Sequence, residues 1–282
     1  MKPFRWDVRR REQLGRLVES DFPRPYDGFF TDLRECAART VASAGDARII
    51  FIGRSPESLF DYLSGVLDGT TRESRLELVN LSLRWMEELE GDSAQLFRQH
   101  LEAHHLTPEA IATGDVPVTL CDLVASGSTF EVFVRELERW AADIELDVAA
   151  VRRRLRIVGI TWRQKASPNT WRWHQHAPWL GTFPRIAVKN VSAPTELCGY
   201  LGDRQPKVAR TYPRSRWGDP ELASPRHFER DLAGVALAFH IHTQGARKEE
   251  RQAFSVELAK QPSMRERWLR SLVQELRSTR VD

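Results

Sequence analysis

Short runs of apolar, β-compatible residues alternate along the chain with longer segments in which apolar positions recur at helical spacing. These runs predict buried strands at residues 47–52, 76–81, 118–121, 155–161 and 185–188. The helical spacing predicts helices at residues 28–44, 56–67 and 129–142, and a mostly helical stretch at residues 83–112. Strands that alternate with helices indicate an α/β fold with a mostly parallel, helix-flanked sheet of the doubly wound type.

The same pattern divides the chain into three predicted segments. Residues 1–45 form an N-terminal helical extension that contains a Pro-broken linker at residues 22–26. Residues 46–223 form the α/β domain, and its last part, residues 160–223, is rich in aromatic and basic side chains. Residues 224–282 form a C-terminal helical segment.

The third strand is followed by a loop of small residues that opens a helix. After Asp122 this loop contains Ala125, Ser126, Gly127, Ser128 and Thr129. Small side chains let backbone N–H groups approach an anion, Gly127 can adopt a positive φ, and the helix that begins near Ser128 adds the positive end of its dipole. The segment therefore predicts a phosphate-binding loop. The alternative is a ligand-free turn in which Asp122 only caps local backbone groups.

A second loop follows the first strand and contains Gly53, Arg54 and Ser55. Ligands of doubly wound sheets lie at the carboxyl ends of the strands, so this loop and the loop after the third strand are expected to face one crevice. Gly53 permits close approach of the backbone, and Arg54 can make a bidentate contact with a phosphate. The alternative is an ordinary turn with a solvated Arg54.

The sequence CDLVASGST at residues 121–129 resembles the signature of the type I phosphoribosyltransferases. In that family a strand ends in two acidic residues, and a loop of the Thr-Thr-Gly-x-Thr kind follows. By position, the loop of this chain consists of Ala125, Ser126, Gly127, Ser128 and Thr129. Asp122 matches the second acidic residue, whereas Cys121 occupies the position of the first. A thiol is a weak, soft acceptor and does not replace a carboxylate there.

The resemblance implies a phosphoribosyltransferase-like fold and a glycosyltransferase reaction. A 5-phosphoribosyl group would pass from phosphoribosyl pyrophosphate (PRPP) to a nucleobase, with Mg²⁺ bridging the pyrophosphate and the ribose hydroxyls. Asp122 is the implied catalytic residue and would hold the ribose. It would have to stay ionised to accept hydrogen bonds from the ribose hydroxyls, which a strand end facing solvent permits. Residues 126–129 would hold the 5-phosphate, and Arg54 the pyrophosphate. Because Cys121 departs from the pattern, a non-catalytic nucleotide sensor is the alternative to an enzyme.

Residues 160–201 combine many aromatic and basic side chains. They include Trp162, Arg163, Lys165, Trp171, Arg172, Trp173, His174, His176 and Trp179. The resemblance implies a hood region in which Lys165 and Trp162 recognise the acceptor base, and residues 198–203 loosely resemble the hood segment of the hypoxanthine-guanine enzymes. Two other interpretations are tryptophans packed in a core or subunit interface, and a stacking platform for single-stranded nucleic acid.

Charge, apolar segments and cysteine spacing limit the classes of partner that the sequence predicts. The net charge of +3 is too small to indicate nucleic acid by itself, and no segment approaches the roughly 18 apolar residues of a membrane span. The N-terminus lacks the apolar core of a signal peptide, so a cytoplasmic protein is expected. Three distant cysteines argue against a disulfide framework, and the His-x-His pairs do not have helical zinc spacing. The expected partners are PRPP or a nucleotide, with a homodimer left open.

Overall fold

The computed structural model describes residues 2–83, 86, 88–164, 171–225 and 229–278. Its centre is one sheet of five parallel strands in the order β2-β1-β3-β4-β5. The strands are β1 (Arg48–Ile52), β2 (Leu76–Val79), β3 (Val118–Leu123), β4 (Leu155–Trp162) and β5 (Ala187–Ala193). The predicted α/β class with a parallel, helix-flanked sheet is confirmed.

Four strands lie where the sequence predicts them, whereas the fifth is shifted. It was expected at residues 185–188 but begins at Ala187 and continues to Ala193. Arg185 has a positive φ of 77°, which interrupts extended backbone just before the strand. The strand lies at the edge of the sheet, and polar residues at 189, 190 and 192 hid its second half from a search for apolar runs.

Helices cover both faces of the sheet. Their bounds are α1 (Arg11–Leu14), α2 (Phe29–Ala44), α3 (Glu57–Val66), α4 (Asp92–Ala103), α5 (Pro108–Thr113), α6 (Ser128–Asp143), α7 (Val148–Arg154), α8 (Thr195–Gly199), α9 (Glu229–Ala246), α10 (Lys248–Ala259) and α11 (Arg267–Ser278). The mostly helical stretch predicted at residues 83–112 is wrong at its start, because α4 begins only after Gly91, whose φ is +51°. Leu83 and Leu89 are buried without forming a helix there.

Alternate residues of β1 point into two different cores. Ile49 and Phe51 pack with α2, α3 and the C-terminal helices, whereas Ile50 and Ile52 pack with α4 to α7 on the opposite face. The N-terminal helix α2 and the C-terminal helices α9 to α11 therefore lie on the sheet that the middle of the chain forms. Within the described part of the chain, no helix combines the length and apolar composition needed to cross a membrane.

The strand order creates a switch point in the sheet. β1 pairs with β2 on one side and with β3 on the other, so the chain progresses in opposite directions from β1. In open parallel sheets the ligand crevice lies at such a point, outside the carboxyl ends of the strands. The loops that follow β1 and β3 are the two loops that the sequence singles out as phosphate-binding.

Candidate functional site

A cleft of about 770 Å³ opens at this switch point. Both predicted loops line it, and so does the end of β4. The predicted site residues that line the cleft are Gly53, Arg54, Ser55, Asp122, Ala125, Ser126, Gly127, Ser128, Thr129 and Trp162. Lys165, the remaining predicted site residue, lies outside the described residues. Residues 198, 199, 202 and 203 of the segment compared with the hood also line the cleft.

The loop after β3 presents unpaired N–H groups at the start of α6. Gly127 adopts the predicted left-handed conformation, with a φ of +82°. Among the described residues, no acceptor takes the N–H groups of Thr129 and Phe130. The hydroxyl of Ser126 accepts a 3.4 Å hydrogen bond from the N–H of Ser128. Free N–H groups at the positive end of a 16-residue helix form a ready-made anion site.

Trp173 supports this loop from the side away from solvent. Its side chain is 1% exposed and belongs to the core that α6 covers. Gly159 in β4 and Gly127 in the loop leave the space that the indole fills, because a Cβ atom at either position would collide with it. The packing interpretation is therefore confirmed for Trp173, and also for the 9% exposed Trp179.

Asp122 is half-buried at the end of β3, where its Oδ1 accepts a 2.7 Å hydrogen bond from the N–H of Leu123. Burial raises the pKa of Asp122 to about 8, although the N–H of Leu123 and the charge of Lys207 oppose the rise. This burial opposes the ionised form that accepts hydrogen bonds from ribose hydroxyls.

Cys121 faces away from the cleft. Its side chain is fully buried in the core on the α2 side of the sheet, together with Phe51 and Val158. Burial raises the pKa of the Cys121 thiol well above its usual value. Cys121 is therefore a core residue, and Asp122 is the carboxyl group that β3 contributes to the cleft.

Lys207 is a cleft residue that the sequence did not reveal. Its Nζ donates hydrogen bonds to the backbone oxygens of Arg54 (2.9 Å) and Leu201 (2.8 Å). Burial lowers the pKa of Lys207 to about 8, while nearby carboxylates such as those of Glu57 and Asp122 favour its charged form. Nothing in the local sequence marks this lysine, because only the fold brings it to the loop after β1.

A buried polar network fixes the backbone of the loop after β1. Gln205 is 4% exposed, and its Nε2 donates to the backbone oxygens of Ser55 (2.8 Å) and Leu201 (2.6 Å), while Ser58 donates to its Oε1. The Arg54 guanidinium donates a 3.3 Å hydrogen bond to the backbone oxygen of Ala209. Arg54 and Lys207 thus bring two cations to the loop after β1, and the cleft suits a ligand with more than one negatively charged group.

Among the described residues, no group of three or more His, Cys, Asp and Glu side chains could hold a metal ion by itself. Among the described lining residues, the carboxyl groups are those of Asp122 and Asp203. Mg²⁺ in phosphate-binding sites commonly takes one or two carboxylates together with substrate phosphates. This donor set fits a metal ion that binds together with a phosphorylated ligand.

The cleft combines unpaired N–H groups, two cations and two carboxyl groups at the switch point of a parallel sheet. Its function has to be inferred from these groups. No family model, no curated protein and no solved structure matches the chain.

Proposed function

We propose that the cleft binds a 5-phosphoribosyl ligand, either PRPP or a nucleotide, and that the protein is phosphoribosyltransferase-like. The observation that carries the proposal is that the loops after two adjacent strands, β1 and β3, line one cleft at the switch point of the sheet. A volume of about 770 Å³ is within the range of small-molecule sites. The resemblance of residues 121–129 to the family signature supports a 5-phosphoribosyl group as the ligand.

The 5-phosphate would bind at the start of α6. The N–H groups of Thr129 and Phe130 would donate to its oxygens, and the exposed hydroxyls of Ser126 and Ser128 would add further donors. The helix dipole favours the negative charge at this position. Small side chains in the loop allow the phosphate to approach the backbone.

The ribose would lie over Asp122, and the pyrophosphate would lie toward Arg54 and Lys207. The carboxyl group of Asp122 can accept a hydrogen bond from a ribose hydroxyl. Two cations beside the pyrophosphate would lower the energy of the charge that develops as it departs. Mg²⁺, when bound, would neutralise part of the pyrophosphate charge, with Asp122 and Asp203 as the carboxyl groups available to hold it.

In a transfer reaction the bond from C1 of the ribose to the pyrophosphate oxygen breaks, and a bond from C1 to a nitrogen of the acceptor base forms. The pyrophosphate leaves with the electron pair, and the proton of the nitrogen passes to solvent. The residues of the cleft would accelerate this exchange by positioning the two reactants and neutralising the leaving group. Trp162, half-buried at the end of β4, offers its indole for stacking with the base.

A second candidate function is a non-catalytic nucleotide sensor. The observation that favours it is the burial of Cys121 in the core, which leaves Asp122 as the carboxyl group that β3 contributes. A sensor would keep the phosphate loop and the ribose contact but would not release pyrophosphate.

Calorimetric titration of PRPP, with and without Mg²⁺, followed by a pyrophosphate-release assay with a panel of bases, tests both candidates. Binding with turnover supports the transferase, and binding without turnover supports the sensor. Asp122→Asn should weaken PRPP binding in either case, whereas Asp115→Asn at an exposed position is the matched control. Absence of binding by PRPP and by every nucleotide contradicts both candidates.

A further inference from the structure

Three aromatic side chains of the aromatic-rich segment remain accessible beside the cleft. Trp162 and Trp171 are half-buried, and His176 is exposed. The rings of Trp162 and Trp171 are parallel within 6°, with centroids 6.4 Å apart, and those of Trp171 and His176 are parallel within 8°, with centroids 5.2 Å apart. These three rings, here called the aromatic row, start at the cleft, because Trp162 also lines it.

A groove of about 400 Å³ next to the aromatic row carries positive charge. Its lining consists of Glu35, Arg39, Arg163, Arg172, Asn190 and Ser192. Arg39 pairs with Glu35 at 3.3 Å. Arg163 and Arg172 are exposed, and neither forms an ion pair with any residue that the structure describes.

The groove and the aromatic row are adjacent in the chain. Arg163 directly follows Trp162 in the chain, and Arg172 directly follows Trp171. The two segments are joined by a 3.2 Å hydrogen bond from the N–H of Trp171 to the backbone oxygen of Gln164. Two of the three rings therefore have a groove-lining arginine as their next residue, and neither arginine has an ion-pair partner in the described part of the chain.

We propose that this surface binds single-stranded nucleic acid. Bases would stack against the aromatic row, and backbone phosphates would contact Arg163 and Arg172. A duplex keeps its bases stacked on each other, so it offers no base faces to the row. An acidic peptide would contact the arginines but would not stack on the aromatic row. The proposal goes beyond a cleft for one phosphoribosyl group and does not depend on that function.

Fluorescence anisotropy with a labelled strand of about 12 nucleotides, titrated with the full-length protein at several salt concentrations, tests the proposal. The double variant Arg163→Ala/Arg172→Ala should bind about 10-fold more weakly, and its log–log salt slope should be shallower by about 1.4, since each lost contact removes about 0.7 from the slope. Trp171→Ala should weaken binding about 10-fold without changing the salt slope.

Arg153→Ala/Arg267→Ala is the matched control, because it removes two exposed arginines that lie away from the groove, in helices α7 and α11. We expect this control to bind the strand as the wild-type protein does, and a duplex of the same sequence to bind at least 10-fold more weakly than the strand. An equal loss in both double variants would overturn the proposal. So would the absence of binding, or duplex binding as tight as strand binding. Asp122→Asn should retain strand binding even if PRPP binding fails, which separates this proposal from the function of the cleft.

Discussion

Trp173 packs so closely against Gly127 that a Cβ atom added to the glycine would lie 2.5 Å from Cζ3 of the indole. The φ of +82° at Gly127 is also unfavourable for every residue that has a side chain. Two independent constraints therefore require glycine at this position. The contact with Trp173 links the aromatic-rich segment to the loop at the start of α6.

Gly127→Ala separates these two constraints when it is compared with Gly28→Ala. Gly28 also precedes a helix and has a φ of +89°, but no atom lies within 4 Å of the position that its Cβ would occupy. Gly28→Ala should lower the free energy of unfolding by about 1 kcal/mol through backbone strain alone. Gly127→Ala should lower it by about 3 kcal/mol, because the clash with Trp173 adds to the strain. Urea unfolding measures both, and equal losses would contradict the close packing.

The raised pKa of Asp122 predicts a pH-dependent contribution to stability. An ordinary aspartate in the unfolded chain has a pKa of about 4, and burial raises that of Asp122 to about 8. The folded state therefore binds a proton that the unfolded state has lost, and stability falls as the pH rises from about 4 to about 8. Asp122→Asn should become progressively more stable relative to the wild-type protein across this range. Asp115→Asn at an exposed position should not, and a flat difference for Asp122→Asn would show that the carboxyl is ionised throughout.

Lys207 is expected to act on the pyrophosphate and not on the 5-phosphate. Lys207→Met should weaken PRPP binding about 10-fold, since a charged hydrogen-bonding group is lost, and should leave the affinity for ribose 5-phosphate within about twofold. Lys207→Arg keeps the charge and should retain most of the PRPP affinity. If the methionine variant lost affinity for both ligands equally, the role of Lys207 would be to hold the backbone of Arg54 and Leu201.

The N-terminal segment contributes a buried ion pair with α3, the helix that follows the loop after β1. The Arg5 guanidinium donates to Oδ1 of Asp61 in α3 at 2.6 Å, and Asp61 is 1% exposed. Arg5→Met should lower the free energy of unfolding by about 3 kcal/mol, because it leaves a buried carboxyl group without its partner. Combining it with Asp61→Leu should recover part of this loss. Additive losses in the double variant would contradict a coupled pair.

Local patterns in the sequence predicted the strands whose side chains are buried on both faces of the sheet. The run at residues 47–52 is apolar because its alternate side chains enter two cores, so β1 was predictable. The second half of β5 alternates polar and apolar residues at the sheet edge and was not found. Leu83 and Leu89 are buried within the stretch predicted to be helical, but neither residue lies in a helix.

The candidate site also contains some residues that were predictable from the sequence and others that were not. Residues of the two loops follow their strands directly, so strand prediction placed them at one edge of the sheet. Lys207 and Gln205 reach the loop after β1 from about 150 positions away in the chain, and only tertiary packing brings them there. The pKa of Asp122 was also not predictable, because it depends on how deeply the strand end is buried. Composition could not distinguish the buried Trp173 from the accessible Trp162 and Trp171.

The central claim is that a sugar phosphate binds to the backbone at the start of α6. Titration of the isotope-labelled protein with ribose 5-phosphate, followed through its backbone amide resonances, tests this claim most directly. The largest shifts are predicted for residues 125–130, including the unpaired N–H groups of Thr129 and Phe130, with smaller shifts at residues 53–55. Unchanged resonances at residues 125–130 at a saturating concentration of ribose 5-phosphate would contradict the claim.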